Sequence, residues 1–145
     1  MKILSDVNQE LEALIVSVVE KGNHLHDEKS YERALEEYNE AWRLLPEPKL
    51  EWEISSWVSA CIYSVNFDIG NFYEAKKWAE IALQTRGSDI DTAPLIDLGM
   101  ICYELKEYDM AYKYFHDAYG YGKKRAFQER PKKYLDFYFN EKSKN

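Results

Sequence analysis

Apolar residues recur along this chain at intervals that predict helices rather than strands. Tyr31 is followed by Ala34, Tyr38 and Ala41, at offsets of three, seven and ten residues. These offsets place the four side chains on one face of an α-helix, which has about 3.6 residues per turn. The residues between them, in YERALEEYNEAWRLL, are mostly charged and suited to water. The stretch therefore predicts an amphipathic helix with an alanine-lined, aromatic-anchored face.

The same spacing occurs twice more in the chain. Phe72 is followed at the three offsets by alanines, and Tyr108 is followed by Ala, Phe and Ala. An apolar helical segment precedes each anchor, and Gly22 and Gly99 lie nine residues before the first and third anchors. Small residues at such positions let a second helix approach closely. Each repeat thus predicts a pair of helices that must bury its apolar face against a neighbour.

The second repeat departs from the pattern in its first helix. Tyr63 stands where the other two repeats have glycine, and Asn66 stands at a position that is apolar in both. Two interpretations follow. The helix keeps the common register, or it runs in a shifted register with a longer turn at FDIGNF.

Seven helices are predicted from these periodicities together with proline, glycine and capping residues. Asp6 and Gln9 have the spacing of a capping box at the start of the first helix. After the third repeat, Tyr134, Leu135 and Tyr138 share one face of a terminal helix. Together with Phe127, which precedes that helix, they are expected to cover the apolar surface of the third repeat. The predicted helices span about residues 7–27, 31–45, 50–67, 72–85, 93–105, 108–119 and 131–139.

The aromatic-x-x-Ala pattern and its repetition resemble the tetratricopeptide repeat (TPR), whose period is about 34 residues. The anchors here are 41 and 36 residues apart, which indicates lengthened linkers. The resemblance implies an all-α fold, a right-handed solenoid of three helix pairs with a C-terminal capping helix. We expect one domain over residues 1–145, with repeats at about 15–48, 50–87 and 92–122 and a cap at about 131–139.

Charge is distributed unevenly along the chain. The net charge is −7, but residues 1–122 carry −12 and residues 123–145 carry +5. An acidic body disfavours nucleic acid as the main ligand and favours a basic protein partner. Acidic charge that only maintains solubility explains the same numbers. A hydrophobic content of 46% excludes a disordered chain, and no apolar run is long enough to span a membrane.

The residues do not predict catalytic or metal chemistry. His24 and His26 are two residues apart, so a helix would direct them to different sides, and no third ligand is evident. Cys61 and Cys102 occupy apolar, core-like positions, where burial makes a thiol inert. We therefore expect no metal, no cofactor and no enzymatic activity, in a cytoplasmic protein. The competing enzyme hypothesis would require His26, Asp27, Tyr103 and Glu104 to form one site.

In TPR proteins the first helix of each repeat lines a concave groove that binds a protein. The resemblance and the helical phase imply that eight residues face such a groove here. An equally weighted alternative is that some of them pack against the C-terminal helix instead. The eight are Asn23 and His26 in the first repeat, Trp57, Ser64 and Phe67 in the second, and Ile96, Met100 and Tyr103 in the third.

Two further segments are similar to small stand-alone bacterial TPR proteins of toxin loci, which act as immunity proteins. They are LLPEPKLEWEISSW and AYGYGKKRAFQERPKKYLDFYF. This resemblance implies a protein that binds and neutralises a cognate toxin, such as a basic toxin domain. The alternative function is a generic adaptor or chaperone-like scaffold that holds a peptide or helix in its groove. Either would act as a monomer or homodimer without nucleic acid or membrane.

Overall fold

The computed structural model describes residues 1–145 and confirms the all-α prediction, with no β-strand. Asn8, rather than the predicted Asp6, caps the first helix, because its side chain accepts from the Leu11 backbone N–H at 3.1 Å. Three short 3₁₀ turns lie at Leu4–Asp6, Lys49–Glu51 and Lys123–Phe127. The helices are α1 (Gln9–Asp27), α2 (Tyr31–Leu44), α3 (Ile54–Asp68), α4 (Phe72–Thr85), α5 (Ala93–Glu104), α6 (Tyr108–Gly122) and α7 (Lys132–Lys142).

The chain divides into two compact units, residues 1–87 and residues 88–145. The N-terminal unit contains the pairs α1–α2 and α3–α4, and the C-terminal unit contains the pair α5–α6 followed by α7. Helices that are adjacent in sequence pack against each other in each pair. The single domain expected over residues 1–145 stays a prediction.

The same turn joins the two helices of every pair. Its central residue has a positive φ in each case: 63° at Lys29, 82° at Gly70 and 64° at Lys106. The residue after it donates its backbone N–H to a carbonyl five residues earlier, at 2.8–2.9 Å. This is a helix-ending motif that satisfies carbonyls left open at a helix C-terminus. Because the turn at Gly70 matches the other two, the second repeat keeps the common register, and the shifted register is wrong.

The alanine and aromatic positions explain how the helices of a pair approach. A Cβ built on Gly22 would lie 2.5 Å from the Tyr38 ring, and one on Gly99 would lie 2.3 Å from the Phe115 ring. Only glycine leaves room for these aromatic side chains. In the second pair the large and small residues are exchanged. Tyr63 lies on its first helix and Ala79 takes the position of Tyr38 on its second, and both are buried.

The linker between the first two pairs is held by its own hydrogen bonds. The Lys49 ammonium group donates to the carbonyls of Trp42, Arg43 and Leu45, at 2.6–3.2 Å, where helix α2 ends. The Trp52 indole donates to the Pro46 carbonyl at 2.9 Å. The LPEPKLEW segment therefore has a structural role, since it satisfies the end of α2 and fixes the entry to α3.

The tryptophans differ in how far they are buried, although all four have the same large side chain. Trp52 is buried, and the Trp42 and Trp78 rings meet edge to face at 4.9 Å within the N-terminal unit. Trp57 is 38% exposed and is therefore accessible on the surface of α3.

Helix α7 covers the third pair as the pattern predicted. Phe127, Tyr134 and Tyr138 are buried, and Leu135 is half-buried. The Phe115 ring of α6 lies 5.3 Å from Phe127 and 6.0 Å from Tyr134. Ion pairs add to this contact, because Arg130 binds Asp97 and Lys133 binds Glu104 of α5.

Candidate functional site

A shallow depression in the N-terminal unit brings together three of the residues predicted to face a groove. Asn23 and His26 come from α1, and Ser64 comes from α3. The depression has a volume of about 190 Å³ and is completed by Tyr38, Ala60 and Cys61. We call these six residues the polar depression. Helical spacing explains the set, because positions three or four apart on α1 and on α3 share a face.

The amide oxygen of Asn23 accepts two hydrogen bonds at the base of the polar depression. The Tyr38 hydroxyl donates to it at 2.6 Å, and the Cys61 thiol donates at 3.7 Å. Burial raises the pKa of Tyr38 and raises the pKa of Cys61 to about 11, so both groups stay protonated donors at neutral pH. The Asn23 amide NH₂ group has no partner in the protein and remains a donor for a ligand.

His26 connects α1 to the end of α3. Its Nε2 atom lies 2.6 Å from the Asp68 carboxylate, and its ring meets the edges of Tyr31 and Tyr38. His24 instead lies 2.6 Å from Glu28 at the end of its own helix. The two histidines therefore belong to different contacts, and no group of three or more His, Cys, Asp or Glu side chains is placed to hold a metal ion.

The accessible face of α3 is largely apolar. Trp57 is exposed, and Ala60, Ser64 and Phe67 are half-buried on the same helix. The Phe67 ring meets Phe72 at 5.3 Å, in the contact that Tyr103 and Tyr108 repeat at 5.5 Å. Helix α3 contains no Lys or Arg, and its single charged residue is Asp68. An exposed tryptophan thus lies on the helix that contributes Cys61 and Ser64 to the polar depression.

The residues predicted in the third repeat are less accessible. Ile96 is fully buried and Met100 is 8% exposed, because α5 is apolar around most of its circumference. Tyr103 is half-buried, with its ring 5.3 Å from Tyr134 and 5.2 Å from Phe137. Tyr103 thus packs against the C-terminal helix α7, as the alternative proposed. Ile96 and Met100 are buried and not accessible to a partner.

The groups named in the enzyme hypothesis are engaged separately within their own units. His26 is bound to Asp68 in the N-terminal unit. Glu104 accepts hydrogen bonds from Lys133 at 2.8 Å and from the Tyr134 hydroxyl at 3.2 Å. Burial and the neighbouring Glu104 carboxylate raise the pKa of Tyr134. These contacts fasten α7 to α5, which is a structural role.

Three members of this region, Tyr38, Cys61 and Asp68, are not among the residues predicted to face a groove. The repeat pattern places Tyr38 in the core, and the side chain is fully buried. A buried tyrosine hydroxyl requires a hydrogen-bond partner, and this requirement is the signal that the sequence contains. The identity of that partner depends on the pairing of α1 with α2.

No protein-family model and no curated protein sequence matches this chain. None of its helices combines the length and the apolar character needed to cross a membrane.

Proposed function

We propose that this chain is a non-enzymatic protein-binding module with the arrangement of a right-handed TPR solenoid. More specifically, it acts as a cytoplasmic bacterial immunity protein that binds and neutralises a cognate toxin. The observation that supports this best is the polar depression, which shares helix α3 with the exposed Trp57 side chain.

A partner gains most from a few anchors at an interface. Tryptophan is enriched among such anchors because it buries a large area and loses little conformational freedom. Trp57 is accessible without unfolding, and the Asn23 amide group offers a hydrogen-bond donor. An apolar contact beside a small polar recess suits a protein surface better than a small molecule, because the recess is shallow and open.

The charge of the N-terminal unit indicates the character of the partner. Residues 1–87 contain 9 Lys/Arg and 16 Asp/Glu, a net charge of −7, whereas residues 88–145 contain ten of each. An excess of acidic groups attracts a basic protein and accelerates the encounter. A basic toxin domain is therefore the favoured partner, and we propose no role for nucleic acid, membrane or cofactor.

A generic adaptor that holds a peptide or helix is the second candidate function. The Asn23 NH₂ group favours it, because this free donor suits a backbone carbonyl or carboxylate of an extended peptide. Both functions are compatible with a monomer or a homodimer. They differ in whether one folded toxin domain or many peptides are bound.

Co-expression with the product of the adjacent gene tests the proposal. If that gene encodes a toxin, we expect growth to be restored and the purified proteins to form a one-to-one complex. Association should slow steeply as salt is raised from about 0.05 to 0.5 M, because screening weakens attraction between opposite charges. Failure of rescue together with absence of a complex at low salt would contradict the immunity function.

A matched pair of variants locates the surface. Trp57→Ala should weaken the complex by about 10- to 100-fold, as expected for an interface anchor. Tyr73→Ala is the control, because Tyr73 is a 77% exposed aromatic residue on α4. Calorimetric titration with both variants measures the difference. Equal affinities for the two variants would exclude the exposed face of α3 as the binding surface.

A further inference from the structure

A second surface with the opposite charge lies on the C-terminal unit. Lys123, Lys124 and Lys142 are exposed, and each ammonium group lies over an aromatic ring. Lys123 and Lys142 are 5.4 and 4.6 Å from the centroid of Tyr119, and Lys124 is 5.8 Å from that of Phe139. We call these five residues the lysine–aromatic face.

The three lysines of this face have no carboxylate within salt-bridge distance. Three other basic residues of the same unit are neutralised by such partners, in the ion pairs Arg130–Asp97, Lys133–Glu104 and Lys144–Glu141. The positive charge of the lysine–aromatic face is therefore available to a ligand. The rings also restrain the lysine side chains, which reduces the entropy that binding would cost.

The backbone of Lys123 gives an independent indication of function. Lys123 ends α6 with φ 53° and ψ −141°, a region that glycine occupies and that other residues rarely adopt. Glycine at this position would avoid the strain, and the lysine side chain fills no space in the core. Strained residues of this kind occur often at binding sites, where the strain holds a side chain in a required position.

We propose that the lysine–aromatic face binds an acidic polypeptide segment that also carries apolar side chains. Ammonium groups attract carboxylates, and the partly exposed Tyr119 and Phe139 rings offer apolar contact. A single-stranded nucleic acid suits the face less well. Bases stack on the face of a ring, and here ammonium groups lie over that face of Tyr119, whereas a leucine side chain can also pack against the ring edge. This surface goes beyond the proposed toxin site, which attracts a basic partner.

Fluorescence anisotropy with a labelled twelve-residue peptide, (Glu-Glu-Leu)₄, tests this inference on the full-length protein. We expect saturable binding that weakens at least tenfold when Lys123, Lys124 and Lys142 are all changed to Gln. The single variant Lys142→Gln should weaken binding severalfold, and it gives an answer if the triple variant is poorly folded. Labelled (Lys-Lys-Leu)₄ is titrated separately as the charge control, and any binding of it should be unaffected by the triple change.

The variant Lys123→Gly separates a binding role from a structural one. Because it relieves strain, it should raise the melting temperature by about 2–4 °C, and it should weaken peptide binding severalfold. Lys106→Gly is the matched control, since Lys106 is another lysine with positive φ, 64°, at a turn outside the lysine–aromatic face. That control should also melt higher but bind the peptide as tightly as the unaltered protein.

Three outcomes would overturn the inference. They are no saturable binding of the acidic peptide, equal binding by the triple variant, and stronger binding of a twelve-nucleotide oligo(dT) than of the peptide. The last result would assign the face to nucleic acid.

Discussion

The pairs α1–α2 and α3–α4 form the same helical hairpin, but the large side chain lies on the second helix in one pair and on the first helix in the other. In α1–α2 a glycine on the first helix faces Tyr38 on the second. In α3–α4 the large residue, Tyr63, lies on the first helix and Ala79 lies on the second. The turns of the two pairs have matching hydrogen bonds. The comparison indicates that a pair tolerates either arrangement when the combined volume suits the spacing between helices.

This difference in packing has a consequence for the candidate site. In the first pair the aromatic residue comes from α2, and its hydroxyl reaches the amide oxygen of Asn23 on α1. The third pair places Phe115 at the same position, which has no hydroxyl, and the second pair places Ala79 there. Only the first pair therefore supplies a tyrosine hydroxyl from this position of its second helix, and the polar depression depends on that arrangement.

Moving the large side chain of the second pair from α3 to α4 should have the largest effect on stability. Tyr63→Gly should lower the free energy of unfolding by about 3–5 kcal/mol through the cavity it leaves, with ~1 kcal/mol more from glycine in a helix. Adding Ala79→Tyr to that variant should recover part of the loss, because it recreates the arrangement of the other two pairs. Denaturant titration of the two single variants and the double variant measures the coupling. Additive losses would show that the two positions do not share one space.

Preventing the close approach of α1 to α2 should have a smaller effect on stability. Gly22→Ala should lower the free energy of unfolding by about 1–3 kcal/mol, because the new Cβ would lie 2.5 Å from the buried Tyr38 ring. Gly120→Ala is the matched control, since a Cβ added to Gly120 in α6 would meet no atom within 4 Å. That change should instead stabilise by about 0.5–1 kcal/mol, the usual gain from alanine in a helix. Stabilisation by both substitutions, measured by thermal denaturation, would contradict the close packing of α1 on α2.

The contact between Cys61 of α3 and Asn23 of α1 should produce an effect on stability that appears only at high pH. Burial raises the pKa of Cys61 from 9.0 to about 11, so the unfolded chain loses this proton first as pH rises. The resulting stabilisation is present below about pH 9 and is lost as pH rises towards 11. We expect Cys61→Ala to reduce the loss of unfolding free energy between about pH 8 and 10.5, measured by denaturant titration. Part of the loss should remain, because burial also raises the pKa of Tyr38.

Ser64→Ala is the control for this comparison. Ser64 lines the same depression but does not titrate in this range. The variant should therefore keep the pH dependence of the unaltered protein. An unchanged dependence in Cys61→Ala would show that the thiol is as accessible in the folded chain as in the unfolded one.

The sequence by itself determined the helical class, the three hairpins and most helix bounds within a few residues. These properties follow from local periodicity, capping and the proline and glycine positions, which act over a few turns. The anchors Tyr31, Phe72 and Tyr108 begin their helices as predicted. The burial of Phe127, Tyr134 and Tyr138 also followed from spacing, because one apolar face of a terminal segment has few places to pack.

Only the tertiary structure decided the register of the second repeat, the burial of Ile96 and Met100, and the partners of Asn23 and His26. Each depends on residues distant in sequence, as in the Tyr38–Asn23 and His26–Asp68 contacts, which span 15 and 42 residues. Local patterns indicate which face of a helix is apolar, but they do not specify which neighbouring helix covers that face. The structure answers this question because close packing permits only those pairs whose volumes and polar groups match.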